Sequence, residues 1–297
     1  DSWRIIGLHA YGNASYDSAQ HCFQRALDGI EQLRGDKRYD EVDIDDELSM
    51  LYGTMGNLYN IQGQLHLALD YYQKALPIFK KHEWRQSETL LYYNVGELYL
   101  ELGNNKAAEE NYRNAYEVAL TTHDSLMVAT ASSGLAMSLL NDGKREDALQ
   151  FAHKSLEYFN NHKDEEVVAV LDGYVLISRI YLEGYDDIGK AQEYMEKALE
   201  LTGEIDAPTN LSDAYLLQAD ILLRRHDGKG AVAWGQKALE ANDQNPQHNI
   251  GVYLVLAKAY AALGDAEQAQ AYITKLHRQM EEQSTGKYQS ALSEMEV

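Results

Sequence analysis

Proline is scarce in this chain. Pro77, Pro208 and Pro246 are the three among 297 residues, so little stands in the way of long helices. Phenylalanine is scarcer than the size of the protein would suggest, four against 22 tyrosines, and rings that carry a hydroxyl suit helices whose buried faces also touch water. A single cysteine, Cys22, excludes an internal disulfide and leaves the compartment open. Ala19 and Ala26 share its face at helical spacing, which makes it a core thiol rather than a nucleophile. Cations are in deficit, 26 Lys and Arg against 47 Asp and Glu, for a net charge of -21. That charge repels a phosphate backbone and an anionic lipid surface, which excludes nucleic-acid binding through this region.

Long apolar runs are missing too. The longest stretch without Asp, Glu, Lys or Arg, residues 48–69, carries Asn57, Asn60, Gln62, Gln64 and His66. The more apolar 125–141 falls short of the roughly 20 residues a bilayer requires, so no membrane insertion is expected within the chain. It begins at Asp1 with neither a methionine nor a signal-like apolar region and reads as an excised piece of something longer. Ten histidines are scattered without an H-E-x-x-H pattern, and His82-Glu83 has no second histidine a helical turn on. Gly228-Lys229-Gly230 fits a loose dinucleotide pattern but has no strand before it and reads as a helix turn. No catalytic residue, cofactor or metal is expected.

What is present is a repeat. Tyr52, Met55, Gly56, Tyr59, Ala68, Tyr72 and Ala75 recur as Tyr92, Val95, Gly96, Tyr99, Ala108, Tyr112 and Ala115. The pattern returns in a degenerate fourth copy, in a fifth (Tyr174, Ile177, Ser178, Tyr181, Ala191, Met195, Ala198) with one inserted residue, and in two more. An opening copy runs Trp3, Ile6, Gly7, Ala10, Ala19, Phe23, Ala26. The small residues at the eighth position are Gly7, Gly56, Gly96, Ala136, Ser178, Ala219 and Ala257, separated by 49, 40, 40, 42, 41 and 38 residues. This resembles the tetratricopeptide repeat, a pair of antiparallel helices with a basic unit of about 34 residues. The resemblance implies an all-α superhelical solenoid of about seven helix pairs over residues 1–276, with a C-terminal extension helix over 277–297. The small residues at positions 8 and 20 are expected to let the two backbones of each pair approach closely.

Gly63, Gly103, Gly143 and Gly264 fall where a left-handed residue would end the first helix of a pair, and Asp265 with Gln268 supplies a capping box for the helix that follows. The acidic run from Asp40 to Glu47 lacks the central glycine and terminal glutamate of a calcium loop and reads as a solvated linker between the first two copies.

Stacked pairs expose an inner face built from first-helix positions 2, 5, 6, 9, 12 and 13. The candidate binding residues there are Asn57, Asn60, Tyr93, Asn94, Glu97, Ser133, Met137 and Arg179, for a peptide or protein segment or a small ligand. A floor of small or apolar groups with a polar rim is expected over the third to fifth repeats. Asn57 and Asn94 match the asparagines of the carboxylate clamp that some family members use on chaperone tails. Gly53, Thr130 and Gly134 occupy its cationic positions, so chaperone-tail binding is disfavoured.

Beyond the last repeat, Tyr288, Leu292 and Met295 are spaced by four and three, as a coiled-coil seam begins. This stretch is similar to the one that closes the repeat region of membrane-bound regulators of Bacteroidetes. The resemblance implies a periplasmic sensor domain, a histidine kinase or helix-turn-helix output beyond the membrane, and a homodimer through the connector. The alternative is a soluble cytoplasmic scaffold or peptide-binding regulator.

Overall fold

The computed structural model describes the backbone of residues 2–242 and 249–295 and the side chains of 2–242 and 249–281. Fourteen α-helices and no strand occur among the described residues. They are α1 (Ser2–Gly12), α2 (Tyr16–Glu31), α3 (Glu41–Ile61), α4 (Leu65–Lys81), α5 (Arg85–Glu101), α6 (Asn105–Thr122) and α7 (Ser125–Asn141), then α8 (Arg145–Asn161), α9 (Val167–Arg179), α10 (Ile188–Leu201), α11 (Pro208–Arg224), α12 (Gly228–Ala241), α13 (Ile250–Ala262) and α14 (Ala266–Met295). Odd and even helices are the first and second members of seven successive repeats. The chain divides into two compact units, residues 1–131 with 287–297, and 132–286. No described helix is long and apolar enough to cross a membrane.

The small eighth residue has a more specific job than bringing backbones together. It receives the ring at position 24. A methyl group added to Gly96 would stand 2.8 Å from Cδ1 of Tyr112, one on Gly7 would stand 2.6 Å from Phe23, and one on Gly56 would collide with Tyr72. Phe23, Tyr72 and Tyr112 are buried to 1% exposure or less, each stabilising the pair by roughly 1.5–3 kcal/mol. Where position 24 is not aromatic, as in Ala152, Met195, Gly235 and Ile273, the eighth residue has grown to Ala136, Ser178, Ala219 and Ala257. In the fifth repeat the extra atom is used: Ser178 Oγ donates to the Ala191 carbonyl at 2.8 Å.

Tyrosine is abundant because three copies use it as a cluster. Tyr59 stacks on Tyr71 at 5.3 Å, Tyr181 on Tyr194 at 5.6 Å and Tyr260 on Tyr272 at 5.6 Å, with Tyr52, Tyr174 and Tyr253 leaning on the same second-helix rings. Lys74, Lys197 and Lys275, three residues on, lie over those rings at 4.6, 4.5 and 4.6 Å. A phenylalanine would fill the space and lose the wet end.

Glycines 63, 103, 143 and 264 adopt positive φ between +72° and +78°, as their position requires. The turns that lack glycine keep the conformation: Ala14 (φ 55°) and His226 (φ 63°) occupy the equivalent site. The inserted residue of the fifth repeat widens the end of the first helix into a π-turn over Ile180–Gly184, and the left-handed residue moves one place on, to Asp186. Ala191 is thereby still fully buried. Asp265 caps α14 by accepting from Gln268 N at 3.1 Å. Cys22 is buried, and Gly228-Lys229-Gly230 opens α12 behind its cap Asp227.

The acidic run is not a linker. Asp40 accepts from Val42 N at 2.8 Å and starts α3, with Glu41 and Asp43 in its first turn favoured by the helix dipole. Ile44, Leu48 and Leu51 bury the inner stripe. Asp45, 3% exposed, takes Lys81 Nζ at 2.7 Å and His82 Nε2 at 2.8 Å, with Arg34 at 3.8 Å. Burial pushes its carboxyl up, but the His82 and Lys81 hydrogen bonds and charges outweigh that and hold it below its ordinary value. The amphipathic period inside the run was masked by its charge.

Three outcomes are expected. Gly96→Leu should cost about 1–3 kcal/mol through overpacking against Tyr112, with amide exchange rising first in α5 and α6; uniform loss of protection along the chain would contradict nearest-neighbour coupling. His226→Gly should raise stability by about 0.5–1 kcal/mol in chemical denaturation, by removing the left-handed penalty less the chain entropy of glycine. Burial, then Tyr59 and the other neighbours, pushes the Tyr71 hydroxyl up to about 12. Its contribution to stability is full below pH 10 and fades as pH rises towards 12, so Tyr71→Phe should flatten the alkaline limb of the stability profile over that window.

Candidate functional site

In the first unit, α3 and α5 present a notch of about 190 Å³ lined by Ser49, Met50, Gly53, Thr54, Asn57, Tyr72, Phe79, Ser87, Leu90, Leu91 and Asn94. Its geometry follows from the repeat. First-helix positions 2, 5, 6 and 9 recur on one side, so Met50 and Leu90 at position 2 stand exposed at 45% and 52% as an apolar rim. A methyl group added to Gly53 would meet nothing within 4 Å.

Beside the notch lies a polar node. Tyr72 is buried against Gly56, yet its hydroxyl reaches through to donate to Asn57 Oδ1 at 2.5 Å. Asn94 Nδ2 approaches the same oxygen at 3.4 Å. In the next repeat Glu97 stands where Asn57 does, taking the Tyr93 hydroxyl at 3.0 Å. The ring of Tyr93 packs 5.5 Å from that of Tyr112. Tyr112 repeats the Tyr72 arrangement without its bond: its hydroxyl has no partner among the described residues, and the Glu97 carboxylate lies close enough to act on it, short of a well-formed hydrogen bond. Burial first, then the Glu97 charge, drives the Tyr112 pKa up; burial does the same at Tyr72, although Asn94 pulls the other way. Both remain neutral phenols.

The structure thus brings Asn57, Tyr93, Asn94 and Glu97 together on the first unit, and Asn60 lies half-buried one turn beyond Asn57 on α3. Ser133, Met137 and Arg179 belong to the second unit. Ser133 and Met137 are half-buried on α7, and Arg179 Nη1 lies 3.5 Å from Glu183. There Asn210 Nδ2 also spans both oxygens of Asp172, at 3.0 and 2.8 Å; burial raises the Asp172 carboxyl and Asn210 opposes it. The side chains of Tyr288, Leu292 and Met295 lie outside the described residues. Sequence reasoning missed Tyr72, Tyr112, Met50 and Leu90. The tyrosines read as interior filling, and only the reach of their hydroxyls makes them part of the node. Met50 and Leu90 could have been found, since they occupy inner-face position 2. No group of three or more His, Cys, Asp or Glu side chains that could hold a metal occurs among the described residues.

Sequence models of the tetratricopeptide repeat match residues 46–120, 85–161, 186–246 and 250–276, together well over half of the chain. The chain belongs to the tetratricopeptide repeat family. It is 23% identical over 270 residues to the TPR repeat-containing protein MJ1428 of Methanocaldococcus jannaschii, covering 91% of this chain and 41% of that protein; it therefore spans about two-fifths of the length of that curated relative. Among solved structures, the apo form of RapI superposes with a TM-score of 0.76 at 13% identity, covering 94% of this chain and 98% of the other. NprR in complex with its cognate peptide NprX gives 0.66 at 19% identity, covering 91% and 74%. At these identities the likeness is one of fold.

Proposed function

We propose that this repeat domain is a non-catalytic peptide-binding domain of a regulator, holding an extended segment of a partner across α3 and α5. The observation that carries the reading is the pairing of an apolar notch with the Asn57 and Asn94 side-chain amides. An asparagine amide offers the same donor and acceptor as a peptide bond and can pair with one. The notch beside it, lined by Met50, Gly53, Phe79 and Leu90, suits a single large apolar side chain. NprR, of similar fold, is known with a peptide bound.

A more specific reading makes the domain the periplasmic sensor arm of a membrane-anchored signal-transduction or transcriptional regulator, dimeric through its connector. It is supported by α14, which runs for 30 residues where the other second helices have 14 to 18, a length of about 45 Å that suits a connector. An apolar span of about 20 residues encoded soon after Val297 would support it, and its absence would favour the soluble regulator.

The peptide reading is tested by selecting binders from a random-peptide display library on the wild-type chain. Asn94→Ala should weaken the selected peptides by about tenfold, the loss of one or two hydrogen bonds in a desolvated groove. Gly53→Leu should block them by filling the notch while holding or raising stability, because leucine is the better helix former by up to about 1 kcal/mol. Enrichment of no peptide, or peptides that bind the Gly53→Leu protein as well as the wild type, would sink the reading.

A further inference from the structure

The node beside the notch carries a charge that the repeat scaffold has no use for. Several carboxylates on the repeat helices of the first unit meet a cation: Glu88 takes Arg85 at 2.8 Å, Glu109 takes Arg113 at 2.8 Å, and Asp45 takes Lys81 and His82. Glu97 is exposed, and its bond at 3.0 Å is to a neutral phenol, Tyr93. Among the described residues no lysine or arginine pairs with it. Asn94 stands three residues before this carboxylate on the same helix, and Asn57 holds the position matching Glu97 in the repeat before. Asn57 Oδ1 already draws in the Tyr72 hydroxyl and the Asn94 amide. The Tyr112 hydroxyl, on a side chain that is 0% exposed, ends beside Glu97 without a partner. A wholly buried hydroxyl left unpaired is costly, and the Glu97 charge acts on both Tyr72 and Tyr112.

We propose that Glu97 and the Asn57 and Asn94 side-chain amides, backed by the buried Tyr112 hydroxyl, form a binding site for a primary ammonium group carried by the bound peptide. An ammonium has three N–H donors and no acceptor. The carboxylate supplies the countercharge and one acceptor and an asparagine oxygen a second, with the third N–H left to the bound peptide or to water; charge-assisted bonds of this kind are about twice as strong as neutral ones. A carboxylate ligand is the opposite of what this node can hold, consistent with the uncharged residues at Gly53, Thr130 and Gly134. The net charge of -21 raises the local concentration of cationic partners and accelerates their encounter. The site rests on the peptide-binding reading for the source of the ammonium, though its chemistry stands on the node alone.

Two measurements separate the proposal from the reading beneath it. In the first, n-butylammonium chloride is titrated into the ¹⁵N-labelled chain. The side-chain amide signals of Asn57 and Asn94 should move at millimolar amine, N-butylacetamide of similar size should leave them in place, and Glu97→Gln should abolish the response. No movement with the amine, equal movement with the uncharged amide, or an unchanged response in E97Q overturns the site. In the second, the display-selected peptides are compared with forms acetylated at the amino terminus and forms with each lysine replaced by glutamine. One of these changes should weaken binding to the wild type by about tenfold and have little effect on E97Q; which one does so tells whether the ammonium is an amino terminus or a lysine. Peptides that bind while neither change matters would overturn the ammonium site and leave peptide binding standing. An amine response with no peptide binder would uphold the site and overturn the peptide reading.

Discussion

The first three repeats depend on one contact, the ring at position 24 pressed against the glycine at position 8. It fixes how far apart the two helices of a pair stand, and with that the spacing of every first-helix residue on the inner face. The last four copies have alanine or serine at position 8 and a smaller residue at position 24, and in the sixth, where position 24 is Gly235, Leu256 of the next first helix takes the space. Where the ring is present, neither position can change freely without the other.

The contact also couples packing to recognition. Tyr72 is interior by every measure of burial, yet its hydroxyl emerges at Asn57. Tyr112 is placed the same way beside Glu97. The ring sets the helix separation and the oxygen sets the polarity of the groove, so the node is held by the most rigid part of the repeat rather than by a loop. Such a site is pre-organised, and a ligand binding it has little ordering cost to overcome.

Much of this was legible in the residues. The seven small residues and their spacing located the helix pairs, and the four turn glycines located the breaks between their members. Asn57 and Asn94 were identified from position alone. Three things were hidden. The charged run from Asp40 to Glu47 concealed a helix, because burial of Asp45 depends on Lys81 and His82, more than thirty residues away. Met50 and Leu90 occupy inner-face position 2, but that they stand exposed as an apolar rim is visible only in the structure. That, among the described residues, Glu97 meets a phenol and no cation, and that the Tyr112 hydroxyl has no well-formed bond, are facts about three-dimensional neighbours with no one-dimensional signature.

The π-turn at Ile180–Gly184 bears on how such an array tolerates change in length. In a regular α-helix one inserted residue rotates everything after it by about 100°, enough to turn an inner-face residue into a core one. Here the surplus is absorbed within a single widened turn at the end of the first helix, and Ala191 and Met195 arrive in the same places as their counterparts in other repeats. The end of a first helix is therefore an expansion joint: additions there stay local, while the same addition one turn earlier would scramble the faces of the helix.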